Sequence, residues 1–96
     1  MTDKRKAYEE KLDAQLKEWN AQIALLKAKA ENAKADAKID HYKTMETLQA
    51  KQDAARTTLQ ELRSAGDDAW EDLKSGAENV WTELKTAFQR AASRFE

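Results

Sequence analysis

The sequence predicts an all-α protein built as a long helical coiled coil or helical bundle. Three observations carry that prediction. None of the 96 residues is proline and only two are glycine. Charged residues make up 36% of the chain yet nearly cancel, with 17 basic against 18 acidic. Apolar residues recur at helical spacing along most of the length. Together these belong to long helices rather than to compact mixed folds. Apolar bulk is scarce, because 18 residues are alanine and Leu, Ile, Val and Phe together number 14. A disordered polyampholyte requires a large net charge besides low hydropathy, and the net charge here is −1.

The first element is a heptad helix. From Leu12 the apolar residues step by four and three through Leu16, Trp19, Ile23, Leu26, Ala30, Ala33 and Ala37. That alternation keeps one stripe facing a neighbouring helix. Its first half is bulky and its second half is alanine, which permits close approach but buries little area. Arg5 with Glu9, Lys6 with Glu10, Asp13 with Lys17 and Lys27 with Glu31 stand four apart. On the outer faces such pairs add only about 0.2–0.5 kcal/mol each and mainly solvate the helix.

Between Ala37 and Leu48 the register slips, and two routes compete. One runs Ala37, His41, Met45, Leu48; the other runs Ala35, Ile39, Tyr42, Met45, Leu48. The second buries the larger side chains and leaves His41 at the edge of the seam. In either case the departure from seven changes the local supercoil.

The last third is an eleven-residue repeat: TLQELRSAGDD (58–68), AWEDLKSGAEN (69–79) and VWTELKTAFQR (80–90). Its second slots hold Leu59, Trp70, Trp81 and Ala92; its fifth slots hold Leu62, Leu73, Leu84 and Phe95. Arg63, Lys74 and Lys85 fill the sixth. At about 3.67 residues per turn this stripe runs nearly straight along a helix.

Two architectures follow. Gly66, in Ser64-Ala65-Gly66-Asp67-Asp68, suits the left-handed position that ends a helix, and Asp68 with Glu71 suits a capping box for the next. The chain then forms a single unit (1–96), an antiparallel hairpin with a heptad helix over about 3–65 and a repeat helix over about 68–95. Alternatively the repeat frame runs straight through Gly66, and one helix of about 90 residues extends for about 135 Å. Volume complementarity favours the hairpin, with Trp70, Trp81 and Phe88 set against Ala30, Ala33 and Ala37. Either form has one seam, too little burial for a chain this size. Self-association into an oligomeric bundle is therefore expected. The expected core and interface residues are Leu12, Leu16, Trp19, Ile23, Leu26, Leu59, Leu62, Trp70, Leu73, Trp81, Leu84 and Phe88.

Chemistry is sparse. The absence of cysteine excludes disulfides, thiol nucleophiles and cysteine-ligated metals. No run of about 18 apolar residues marks a membrane span. The basic start, Met1 to Lys6, is followed by no apolar stretch, so no secretory signal is expected and the cytoplasm is the expected compartment. A net charge of −1 argues against general nucleic-acid binding, which requires a basic excess. A metal site at His41 would want a ligand three or four residues away, where the chain has Ala37, Lys38, Thr44 and Met45. Its expected role is to help fix pairing register. Asp67, Asp68, Glu71 and Asp72 lack the spacing of a calcium loop and suit the positive end of a helix dipole. Ser64, Ser75, Ser93, Thr57, Thr58, Thr82 and Thr86 have no base at hand, and two glycines ten apart cannot cradle a phosphate. No catalytic residue, metal ligand or cofactor is expected.

Trp19, Trp70 and Trp81 admit two roles: packing in the seam, or seating a helix at a lipid headgroup boundary. Residues 69–96 carry four basic and five acidic side chains, whereas lipid-surface helices present a basic polar face. Packing is the favoured role.

The blocks AWEDLKSGAEN and VWTELKTAFQR resemble the helical repeats of exchangeable apolipoproteins and of late-embryogenesis-abundant (group 3) stress proteins. More closely, the chain resembles a set of small bacterial coiled-coil proteins of uncharacterised function. In these a lysine- and alanine-rich heptad half precedes an ending A-W-x-x-L-K-x-G-x-x-x-x-W-x-x-L-K-x-A-F, here Ala69 to Phe88. The resemblance implies a non-enzymatic, self-associating coiled-coil scaffold or interaction protein with a homo-oligomeric or other protein partner. The apolipoprotein and stress-protein likeness implies the alternative, an amphipathic lipid-surface or stress-protective helix with weak membrane-surface contact. The charge faces are not sorted as in lipid-binding helices, and the heptad half is foreign to those families.

Overall fold

The structure, a computed structural model, describes residues 3–94. The chain is all-α, with helices α1 (Asp3–Glu31), α2 (Ala35–Ser64) and α3 (Asp67–Arg94), and no strand among the described residues. Phe95, the last slot of the repeat, lies outside the described residues. Side-chain pairings set the topology. Arg5 reaches Leu62, while Leu16 and Asn20 meet Gln52, so α1 and α2 are antiparallel. Tyr8 meets Trp70 and Trp19 meets Phe88, so α3 runs parallel to α1. The result is a bundle of 51 × 18 × 17 Å.

The heptad arm expected as one helix over about 3–65 is thus two helices. The expected all-α bundle and the antiparallel turn near Gly66 are present, and the heptad arm adds a second antiparallel turn of its own. The additional break falls at Asn32–Lys34, where no proline or glycine stands. Asn32 Nδ2 donates to the Ala28 carbonyl at 3.1 Å and the Ala33 N–H to the Ala30 carbonyl at 3.2 Å, closing α1. Lys34 is extended at φ −65° and ψ 154°, and its carbonyl accepts the Lys38 N–H at 2.8 Å, opening α2. Alanine and lysine favour helix at these positions, so local propensity opposes the break. Burial decides, because helical stability comes mainly from packing an apolar face. Folding back gives the α1 stripe two neighbours from the same chain.

The second turn also departs from the expected chemistry. Gly66 is not left-handed, and no described residue has a positive φ. Helix α2 ends instead at Ala65, extended at φ −75° and ψ 145°. The Gly66 carbonyl accepts the Trp70 N–H at 2.9 Å, so α3 begins at Asp67, two residues earlier than the Asp68–Glu71 box requires. Asp67 and Asp68 occupy its first turn, where carboxylates complement the dipole.

Ten of the twelve expected core residues are buried, and Ile23 and Leu73 are half-buried against them. The stripe of α1 continues outward from Leu12 in the same four-and-three step to Glu9 and Arg5, both buried. In the slipped segment the structure favours the first route. His41 and Met45 are half-buried and Leu48 is buried, whereas Ile39 and Tyr42 are 60% and 43% exposed. The large-against-small pairing of tryptophans with Ala30, Ala33 and Ala37 is not formed. Trp19 stacks on Phe88 at 5.6 Å and 8° and leans on Trp81 at 6.5 Å and 45°. Because α1 lies beside α3, rings meet rings, and the two helices stand farther apart than either stands from α2. Ala55 and Ala77 are fully buried and allow the closer approaches.

One polar residue interrupts the core. Gln52 has no exposed surface; its Nε2 donates to Asn20 Oδ1 at 3.0 Å and to the Leu16 carbonyl at 3.5 Å. Its Oε1 and the indole N–H of Trp81 have no hydrogen-bond partner. A buried acceptor left unpaired is unfavourable by about 1–3 kcal/mol. Gln52→Leu, close in volume, therefore raises the stability by about 1 kcal/mol, an outcome that urea unfolding followed by circular dichroism checks.

Candidate functional site

The densest polar constellation lies where α1 starts and α2 passes into α3, and it centres on Arg5. Its side chain is 6% exposed. Nε donates to Glu9 Oε2 at 3.0 Å, and one terminal nitrogen donates to Asp67 Oδ1 at 3.1 Å. The other donates to the carbonyls of Leu62 (3.0 Å), Arg63 (3.4 Å) and Ala65. These carbonyls belong to the end of α2, where the i→i+4 ladder stops; the Leu62 carbonyl also accepts the Ala65 N–H at 3.3 Å. A guanidinium from another helix thus fills the role that a left-handed glycine was expected to fill. The planar fork with its five donors suits several acceptors at once.

Glu9 is shared. Its Oε2 also accepts the Trp70 indole N–H at 2.9 Å, and the Arg5 guanidinium lies 5.6 Å from the Trp70 ring centroid. Tyr8 meets the same ring edge-on at 5.7 Å, with Lys74 Nζ 5.2 Å and 5.8 Å from the two ring centroids. Burial raises the Tyr8 phenol above its ordinary pKa of 10.0, and the Glu78 carboxylate adds to the rise. Arg5 and Glu9 were expected as a solvated surface pair; the pair forms, but it is buried. The signal was present in their phase, since both extend the Leu12–Leu26 stripe.

Other features fall as follows. The Asp13–Lys17 pair forms at the surface at 3.3 Å. His41 borders a hollow with Asp40, Lys43, Thr44 and Arg94. The hydroxyls of Thr57 and Thr58, and of Thr44 and Thr47, donate to the carbonyls four residues before them. Such bonds engage a hydroxyl in its own helix. Among the described residues no cluster of three or more histidine or acidic side chains is arranged to hold a metal ion. Among the described residues no helix is long and apolar enough to cross a membrane. The hollows are shallow grooves between pairs of helices, each lined by mixed polar and apolar side chains.

The chain matches no family model, and neither the curated proteins nor the solved structures give a significant match.

Two outcomes test the junction. Arg5→Met leaves Glu9 buried without its cation and removes the side-chain donor from the Arg63 and Ala65 carbonyls, so it destabilises the fold by about 3–5 kcal/mol in chemical unfolding. Arg5→Lys recovers only part of that loss, because an ammonium cannot span the same acceptors. The raised Tyr8 pKa contributes stability that is fully present below pH 10.0, the unfolded value. It is lost as pH rises through the folded value, because the unfolded chain then releases the phenolic proton more readily. Tyr8→Phe reduces the alkaline fall in melting temperature.

Proposed function

We propose that this protein is a non-enzymatic helical-bundle scaffold or interaction protein that associates through its outer faces with other chains, its own copies among them. The observation that carries this reading is the closure of the tryptophan seam within one chain, which leaves a folded rod whose charged outer faces are its means of contact. Trp19, Trp70 and Trp81 are all buried, as are Leu12, Leu16, Leu59, Leu62, Leu84 and Phe88. The self-association expected from a single uncovered stripe loses that driving force, since a third helix supplies the cover. Association then runs through polar faces. Among the described residues, the large apolar side chains left outside are Leu25, Ile39 and Tyr42, spread over two helices.

The open grooves and the engaged threonine hydroxyls support a non-enzymatic role. Catalysis requires a nucleophile, a base and an oxyanion site converging in a formed cleft. A lipid-surface role would require the bundle to open, because Trp19 and Trp81 pack against each other and Trp70 against Tyr8 rather than facing the outside.

Circular dichroism, tryptophan emission and sedimentation equilibrium, with and without anionic vesicles, test the reading. The expected result is full helicity and blue emission in plain buffer, unchanged by vesicles, with a mass that rises above the monomer with concentration. Helix and blue emission gained only on vesicles would transfer the assignment to a lipid-surface protein.

A further inference from the structure

The groove between the middle of α2 and the end of α3 is unusual in its charge. Lys43 and Lys51 line it from α2, and Arg90 and Arg94 from α3, over a floor that includes Leu48 and Ala91. Its volume is about 300 Å³, and no carboxylate lines it among the described residues. All four cations are exposed, and none forms an ion pair with a carboxylate among the described residues. The adjoining hollow shares Lys43 and Arg94 and adds His41 and a single carboxylate, Asp40. Four unpaired cations gathered around one groove repel one another and attract polyanions.

The opposite end of the rod gathers acidic side chains, with Lys4 and Lys74 lining the same hollow as Asp67 and Glu71. Asp67, Asp68, Glu71 and Asp72 crowd the first turns of α3, and all four are exposed. Asp67 is engaged by Arg5. Asp68 and Asp72, four apart, share one face of the helix. The two groups sit near opposite ends of a bundle 51 Å long, too far apart to neutralise each other within one molecule, since surface charges beyond about 8–10 Å are screened in ordinary salt.

We propose that the α2–α3 groove is an anion-binding face whose occupant is the acidic first turn of α3 from a second copy of this chain. Resting on the interaction reading above, this names its surface and its partner. The contact joins different patches on the two molecules, so repetition generates head-to-tail assemblies rather than a closed twofold dimer. Charge complementarity within a nearly neutral chain argues for the second copy. Each molecule carries both halves of the contact, and the net charge of −1 leaves little overall repulsion.

Sedimentation velocity on the full chain, at low salt and at about 1 M NaCl, where the screening length falls to about 3 Å, tests the proposal. Two charge-reversed variants accompany it: Arg90→Glu with Arg94→Glu in the groove, and Asp68→Lys with Asp72→Lys at the tip. The altered residues are exposed, and circular dichroism checks that each variant folds. The neutral pair Arg90→Gln with Arg94→Gln serves if a reversed pair does not fold. The wild type is expected to self-associate at low salt and to dissociate at high salt. Each variant alone is expected to associate about tenfold more weakly, the sum of several exposed pairs. Mixing the two reversed variants is expected to restore a complex, because opposite charges again face each other. Association insensitive to salt and to the groove variants would overturn the proposal while leaving the interaction reading intact. So would a reversed pair that fails to recombine. A monomer at every salt concentration would overturn this contact and self-association together.

Discussion

The guanidinium of Arg5 is the point through which all three helices are tied. It leaves α1, satisfies the terminal carbonyls of α2, and holds the first carboxylate of α3, Asp67. Glu9 balances its charge and in turn anchors the Trp70 indole. A charge this deeply buried is tolerated only when paired and fully hydrogen-bonded. That requirement fixes geometry: Ala65 must be extended, α3 must begin at Asp67, and α1 must lie within reach of both. The ends of the three helices, and the level at which Tyr8 meets Trp70, are joined through one side chain.

The middle of the bundle is arranged by size. Trp19, Phe88 and Trp81 stand between α1 and α3 as spacers, while the fully buried Ala55 and Ala77 permit closer contact elsewhere. Rings in offset or tilted contact contribute beyond the area they bury. This offsets the shortage of branched aliphatic residues in a chain where alanine is the commonest apolar type. Gln52 sits against this packing with one acceptor unpaired. A polar group at a seam position restricts the registers in which neighbouring helices can pair, at some loss of stability.

Closing the seam within the chain changes which surface faces the outside. An amphipathic helix alone presents leucine and tryptophan to whatever it meets; the bundle presents charge. In the proposed contact, the separation of acidic residues at the start of α3 from basic ones at its end takes the place of the apolar stripe. Attraction through such faces is weak for each pair and sensitive to salt, unlike the permanent seam of a coiled-coil oligomer.

Helix as the only regular element was legible in the residue types, and so was most of the core. The four-and-three step from Leu12 to Leu26 and the slots Trp70, Trp81, Leu59, Leu62 and Leu84 identify the buried faces, because periodicity reports which side of a helix is apolar. The turn beside Gly66 was visible too, though not its mechanism, since besides the Ala65 N–H the donor to the Leu62 carbonyl lies 57 residues away at Arg5. Two matters lay beyond any local signal. The break at Asn32–Lys34 falls among good helix formers, and only the burial gained by folding back outweighs their propensity. Whether Arg5 and Glu9 are surface charges or a buried pair depends on what packs against their face of the helix. Sequence alone thus determined which faces are apolar; the tertiary structure decided what covers them, because cover comes from residues distant along the chain.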